Sequence, residues 1–362
     1  MVITAVAVGT RGDVNPLAEL GEEMIKRGHE FRILTSEAFH SLIESKGVTF
    51  LKLNTDADHV MQYLVAEYKT SIDFMKGMFK LKKENPGFME QTVSAIRGSD
   101  LVMYGTCGAF AYHAAELLKI PCARVFYSPM DPTSQYSLYS DEYDSKEVLK
   151  SYNGLPEGMN LMTMIALNKW RVKNGLPKWR IKNTYKEMNG RKLLTFYPTS
   201  RVLMKPDPAW GGHIHVTGYW YHPDEAEREY QPESDRVNTD KLYFIGNVPY
   251  SYIFGKVRAV VHHGGNTTNG LGLRAGLPTL VIPLALDQYF YGRMDHRIGA
   301  GPAPLYIRKR LCSVDEIKAS LNDLVSGKYG KGAIEASKSI LHENGVIEAA
   351  DAIEASLRQF LK

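Results

Sequence analysis

The sequence predicts an α/β protein built on doubly wound parallel sheets and divided into two domains. Three observations carry that prediction. Strand-like and helix-like runs alternate over residues 2–53. Two glycine-rich turns each stand directly between a strand-like and a helix-like run. Apolar periodicity lapses over residues 219–240, where acids and prolines gather as in an interdomain linker.

Residues 2–8 (Val-Ile-Thr-Ala-Val-Ala-Val) are β-branched-rich and nearly continuously apolar, as in a parallel strand covered on both faces. No basic residues precede them, so they read as a strand rather than a signal peptide. Asn15-Pro16 offers a helix cap and a first-turn proline. Leu17, Leu20, Met24 and Ile25 then recur at helical spacing, and Gly28 ends the helix. Further strands are expected at 31–34, 48–53, 101–104, 123–126, 202–204 and 215–218, with helices at 36–45 and 110–118. Residues 57–95 read as helical, basic and rich in Met and aromatics. These elements assign 1–218 to one domain, 219–240 to the linker and 241–362 to a second domain. The second domain has strand candidates at 242–245, 259–262 and 279–283 and a closing amphipathic helix at 334–361.

Hydrophobic residues at 44% and charged residues at 23% suit a globular protein with well-filled cores. A formal charge of +4 is too small to suggest nucleic acid, although local positive potential for a phosphorylated ligand remains open. Cys107, Cys122 and Cys312 lie far apart, which suggests neither a disulfide framework nor a zinc site and favours a reducing, cytoplasmic setting. No apolar run is long enough to span a bilayer.

Three motifs carry chemistry. The turn Gly9-Thr10-Arg11-Gly12-Asp13 follows the first strand, and ligands of open α/β sheets bind beyond the carboxyl ends of strands. Its glycines allow close backbone approach, and Asp13 is either a helix-capping residue or an acid–base group. The spacing is not that of a dinucleotide fingerprint, and an Arg-Gly-Asp tripeptide in a crevice turn is a poor adhesion loop. The second motif, His262-His263-Gly264-Gly265-Asn266-Thr267-Thr268, again joins strand to helix. Free N–H groups at such a helix start bind phosphate oxygens. The histidines are either diphosphate ligands or a structural pair. Asp287-Gln288 is either a sugar-hydroxyl clamp or a helix N-cap.

Together these stretches resemble the family 1 glycosyltransferases, in particular the sterol, macrolide and glycopeptide branch. The resemblance runs through residues 9–28, 112–121, 215–220 and 247–304. It implies a GT-B fold, two Rossmann-like domains facing across a cleft, with acceptor in the first and donor in the second. It further implies an inverting, metal-independent transferase without a cofactor. The co-substrate is a nucleotide sugar, UDP-glucose, and the acceptor is an apolar hydroxylated small molecule or lipid. Carried over, Asp13 is the general base. His263 and the backbone of Gly264, Gly265, Asn266, Thr267 and Thr268 hold the diphosphate. Asp287 and Gln288 hold the sugar, and Val248 lies under the nucleobase. Thr10, Phe74, Met78, Phe79 and His113 are expected on the acceptor side, with a structural role at a helix terminus as the equal alternative for His113. Thr106-Cys107-Gly108 lacks the second carboxylate that some relatives carry there, which fits an Asp rather than a His base.

The resemblance also reveals a gap. Relatives begin the donor domain with two strand–helix units, whereas here Asp240 leads straight into Leu242-Tyr-Phe-Ile, which matches their third strand. A donor lobe so shortened would bind weakly unless assembly into a homo-oligomer repairs it. Residues 72–83 place Phe74, Met75, Met78 and Phe79 on one helical face and Lys76, Lys80 and Lys83 on another. Such a helix packs on the domain, covers the acceptor as a Met-rich lid, or touches the inner membrane surface as a peripheral contact.

Overall fold

A computed structural model describes residues 1–54, 87–137, 145–152, 155–221, 248–284, 287–307 and 312–360. The chain divides into two compact units, Met1–Trp220 with Asn344–Lys362, and Tyr221–Glu343.

In the first unit the elements are β1 (Val2–Val6), α1 (Arg11–Lys26), β2 (Glu30–Thr35), α2 (His40–Ser45), β3 (Thr49–Lys52), α3 (Phe88–Ile96), β4 (Leu101–Tyr104), α4 (Phe110–Leu118), β5 (Cys122–Val125), α5 (Ser145–Lys150) and α6 (Leu155–Lys173). A small antiparallel hairpin follows, β6 (Glu187–Met188) with β7 (Arg191–Lys192), then β8 (Leu194–Tyr197) and β9 (Ile214–Val216). The seven main strands form one sheet in the order β3-β2-β1-β4-β5-β8-β9, every neighbouring pair parallel. The strand order reverses between β1 and β4, so the turns leaving these two strands border the crevice where doubly wound folds bind ligands. Both faces are covered. Ile3, Ala5, Phe31 and Ile33 pack with the α1 residues Val14, Leu17 and Leu20 on one side. Val6, Leu34, Val102 and Tyr104 pack with the α4 residues Ala111, Ala114 and Ala115 on the other.

The second unit contains α7 (Tyr250–Phe254), β10 (Val260–His262), α8 (Asn266–Arg274), β11 (Thr279–Val281), α9 (Gln288–Arg297), α10 (Val314–Val325) and α11 (Gly330–Leu341). Its described strands form a two-stranded parallel sheet, β10-β11. The strand expected at 242–245 and the lid residues Phe74, Met78 and Phe79 lie outside the described residues, as does nearly all of the expected linker.

Four expectations change. The helix after β1 starts at Arg11, capped by Thr10, and runs through Pro16 instead of starting there. Pro16 simply has no N–H to give the Gly12 carbonyl. Residues 202–204 form a turn, with the Leu203 and Met204 N–H groups bonded to the Ser200 carbonyl. The strand pairing with β5 is Leu194–Tyr197. The closing helix is two helices, α11 and α12 (Gly345–Phe360), broken after Leu341. Finally, α12 belongs to the first unit and not to the second, contrary to the expected 241–362 domain. Val346, Ala349, Ala350, Ile353 and Leu357 of α12 enter the core under α1. Arg27 bonds Asp351 at 2.6 Å, and His29 bonds Glu354 at 2.8 Å. Burying each large aliphatic side chain contributes about 1.5–3 kcal/mol, against at most about 1 kcal/mol for an exposed ion pair. The apolar face therefore fixes this helix, and the ion pairs set its register.

Candidate functional site

In the first unit, Asp13 is the third residue of α1, one residue turn inside the helix rather than just ahead of it. Its Oδ2 accepts hydrogen bonds from the Thr10 N–H at 2.7 Å and the Thr10 hydroxyl at 3.1 Å. The Thr10 hydroxyl oxygen in turn accepts from the Gly12 N–H at 3.2 Å, which completes a reciprocal capping box. The carboxylate lies directly against Gly9. A Cβ on Gly9 would stand 2.2 Å from Asp13 Oδ2, and Gly9 has φ +150°. Both space and conformation thus require glycine there. Tyr127 donates its hydroxyl to the Asp13 carbonyl at 3.3 Å, a contact no sequence pattern announces. Burial raises the Asp13 carboxyl above its ordinary value, and the two Thr10 hydrogen bonds pull it partly back. Oδ1 has no hydrogen-bond partner among the described residues, so the side chain is fixed through one oxygen and available through the other.

The turn after β4, Thr106–Gly108, is one turn of 3-10 helix. A Cβ on Gly108 would stand 2.7 Å from the Val6 carbonyl oxygen, so this turn hugs the end of β1.

His113 is a correction. It lies within α4 and has no exposed surface. Arg171 donates to its Nδ1 at 2.7 Å, and its Nε2 meets the Tyr185 hydroxyl at 2.9 Å. Burial lowers its pKa, so the ring is neutral, with Nδ1 accepting and Nε2–H donating. Arg171 is also bonded to Glu116 at 2.6 Å. Burial pushes Glu116 up, but the two hydrogen bonds from Arg171 and its charge outweigh it and hold the carboxyl well below its ordinary value. With both nitrogens engaged inside the core, His113 is a structural member of a buried network and not an acceptor contact.

In the second unit the two histidines separate into two roles. His262 accepts the Gly264 N–H at Nδ1 (2.8 Å), and burial, then neighbouring His263, lowers its pKa to about 3. It is a neutral residue that shapes the turn. His263 is exposed, and its ring folds over Gly265, where a Cβ would stand 2.6 Å from Nε2. Gly264 has φ +91°, and a Cβ there would lie 2.5 Å from Val281 Cγ1. The chain can thus double back from β10 into α8 only through glycine. Gly265 is the N-cap of α8, and the first helical N–H groups, Asn266, Thr267 and Thr268, have no intrahelical acceptor.

Three contacts bring the other predicted residues to this helix start. The Thr268 hydroxyl bonds the Tyr250 hydroxyl at 3.2 Å, which docks the segment beginning at Val248. Tyr291 of α9 donates its hydroxyl to Asn266 Oδ1. The Gln288 carbonyl stands 3.1 Å from where a Gly264 Cβ would be. Gln288 Oε1 accepts the Leu284 N–H at 2.7 Å. Asp287 occupies the N-cap position of α9 but makes no side-chain cap bond. The capping alternative for Asp287 is therefore not the one the fold uses. One further polar pair was not anticipated. Asn269 of α8 donates to Asp295 Oδ1 of α9 at 3.1 Å, with both residues buried. Asn269 Oδ1 and Asp295 Oδ2 are buried without partners among the described residues. Burial raises Asp295 to about 8 against the pull of the Asn269 hydrogen bond.

Comparison with known proteins agrees with this anatomy. Residues 3–136 match the glycosyltransferase family 28 N-terminal domain. The sterol 3-beta-glucosyltransferase of Yarrowia lipolytica is 27% identical over 434 residues, covering 99% of this chain and 29% of that protein. That of Candida albicans is 27% identical over 427 residues, covering 98% of the chain and 28% of the relative. The chain thus spans under a third of the length of these relatives. The first alignment is 434 residues long against 362 in the chain, so at least 72 aligned positions have no counterpart here. Among solved structures, the calicheamicin glycosyltransferase CalG4 superposes with TM-score 0.68 at 18% identity, covering 98% of each chain. The glycosyltransferase VinC, solved with dTDP, gives 0.64 at 15% identity, covering 99% of this chain and 100% of that one. These likenesses show the fold. With the sheet order, the paired glycine turns and the sterol glucosyltransferases among its sequence relatives, these matches show a GT-B fold and make the chain similar to the glycosyltransferases.

Proposed function

We propose that the chain transfers glucose from UDP-glucose to the hydroxyl of a sterol-like apolar acceptor, inverting the anomeric centre without a metal ion. The observation that carries this reading is Asp13. It lies at the carboxyl end of β1 beside the strand-order reversal, with one oxygen held by the Thr10 cap and a raised pKa. A carboxylate made more basic by burial is suited to proton abstraction near neutral pH. It takes the proton of the acceptor hydroxyl as that oxygen bonds to sugar C1. The bond from C1 to the diphosphate breaks, and the nucleoside diphosphate leaves with the electron pair. His263 and the N–H groups at the start of α8 receive the leaving group's charge. Asp287 and Gln288 hold sugar hydroxyls, and Val248 lies under the base. The test is transfer from UDP-glucose to a sterol panel by the full chain and by Asp13→Asn. Sterol glucoside formed by the wild type and lost in the variant, with UDP binding retained, supports the reading. Equal turnover by both removes Asp13 as base.

A second reading, a relative that binds an apolar ligand but transfers nothing, is favoured by one observation. At least 72 aligned positions are absent. Calorimetric titration with UDP separates the two: no heat with UDP and retained sterol binding favours the second reading.

A further inference from the structure

Residues 158–186 contain seven basic residues and no acid. Arg171 is consumed by Glu116, and Lys186 lies 3.8 Å from Asp131. The other five, Lys169, Lys173, Lys178, Arg180 and Lys182, are exposed, and none forms an ion pair with a described residue. The chain as a whole carries only +4, so these five cations exceed its entire formal net charge.

The same stretch exposes aliphatic side chains. Leu161, Ile165 and Val172 of α6 are 43%, 46% and 51% exposed, and with Lys169 they follow one another at helical spacing along one stripe. Ile181 is 46% exposed in the segment that follows. That segment is not a loose tail. Asn160 donates to the Ile181 carbonyl at 2.7 Å. Asn168 both accepts from the Trp179 N–H at 2.7 Å and donates to its carbonyl at 3.1 Å. Arg171 Nε donates to the Pro177 carbonyl at 2.9 Å. Three side chains of α6 therefore staple residues 177–183 along the helix. Ile181 with Lys178, Arg180 and Lys182 is held beside the stripe of Leu161, Ile165 and Val172.

We propose that α6 and residues 177–183 form a docking surface for an anionic phospholipid bilayer. Aliphatic side chains enter the headgroup boundary while the five cations meet lipid phosphates and carboxylates. A purely polyanionic partner would leave the four aliphatic side chains unexplained. A purely apolar partner would leave the cations unexplained. Among the described residues no helix is long and apolar enough to cross a membrane, so the contact is peripheral. The proposal concerns the first unit alone and holds whether or not the chain transfers sugar. If it does, the same surface brings a membrane-dissolved acceptor to the enzyme.

The experiment is co-sedimentation of the full chain with phosphatidylcholine vesicles with and without phosphatidylserine, at low and high salt. The wild type should bind only the phosphatidylserine vesicles, and less at high salt. Near a membrane each cation contributes about fivefold in partitioning. The triple variant Lys178→Glu, Arg180→Glu, Lys182→Glu should therefore lose at least about a hundredfold. The pair Ile165→Ser, Val172→Ser should lose binding while keeping all five charges. Circular dichroism and the thermal midpoint, unchanged in both, exclude unfolding. Binding retained by the triple variant, equal binding to pure phosphatidylcholine, or capture by RNA with none by vesicles each overturns the proposal.

Discussion

Asp295 should make the protein's stability fall with rising pH, and replacing it with asparagine should abolish that fall. In the folded chain burial holds this carboxyl protonated up to about 8, whereas its ordinary value is 3.8. Between these values unfolding releases a proton, so raising the pH favours the unfolded state. The advantage of the protonated native form is complete below 3.8 and is lost as pH rises through about 8. Each pH unit is worth somewhat over 1 kcal/mol, so the interval amounts to about 6 kcal/mol at most. The geometry gives an independent reason. Asn269 already donates to Asp295 Oδ1, which leaves two buried oxygens, Asn269 Oδ1 and Asp295 Oδ2. An ionised carboxylate would make both of them acceptors, and only an acid O–H, or the amide of Asp295→Asn, supplies the missing donor. The assay is denaturant unfolding of wild type and Asp295→Asn from pH 4 to 9. The two should be similar at the acid end, with the asparagine protein gaining progressively until about pH 8 and the difference then levelling. A difference that stays flat with pH, or grows in favour of the wild type, refutes the protonated carboxyl.

Other substitutions test the two turns. Gly9→Ala puts a methyl 2.2 Å from Asp13 Oδ2 at φ +150°; it should cost about 1–3 kcal/mol in melting experiments and lower turnover with it. Asp13→Asn should reduce kcat about 10²–10⁴-fold with UDP affinity unchanged by calorimetry. In the wild type, the acidic limb of kcat/KM should lie above the ordinary value of 3.8, activity rising with pH as the raised carboxyl ionises. Gly264→Ala, with its Cβ 2.5 Å from Val281 Cγ1 at φ +91°, should weaken UDP binding and leave sterol binding intact. Arg171→Met should destabilise by about 1–3 kcal/mol in denaturant unfolding, since it removes the hydrogen-bond donors of the half-buried Glu116.

Local periodicity made the first unit legible because its central strands are buried on both faces. Continuous β-branched runs such as residues 2–6 have no other stable home. The failures occur where a tertiary partner decides. Leu194–Tyr197 and residues 202–204 are both short apolar runs, and only pairing with β5 selects the former. Asn15-Pro16 carries a stronger helix-start signature than Thr10, but the reciprocal bonds between Thr10 and Asp13 outweigh a single missing proline donor. The place of α12 was hidden because an amphipathic helix announces a buried face without naming what buries it. His113 stayed open between acceptor contact and structural residue for a related reason: sequence shows a histidine at a helix near a crevice turn, and cannot show Arg171 and Tyr185 arriving from distant segments to occupy both nitrogens.

The alternatives posed for Asp13, helix cap or acid–base group, describe one arrangement. Capping uses one oxygen, Oδ2, and fixes χ angles that an exposed aspartate would leave free. Burial of the carboxyl raises its pKa, while the cap bonds limit the rise so that the group still ionises. A cap with both oxygens engaged would be too weak a base and would offer no free acceptor. A carboxylate without the cap would need to be ordered at the moment of reaction, at a cost in entropy. Capping and base chemistry therefore favour the same geometry, and Gly9 is the residue on which both depend.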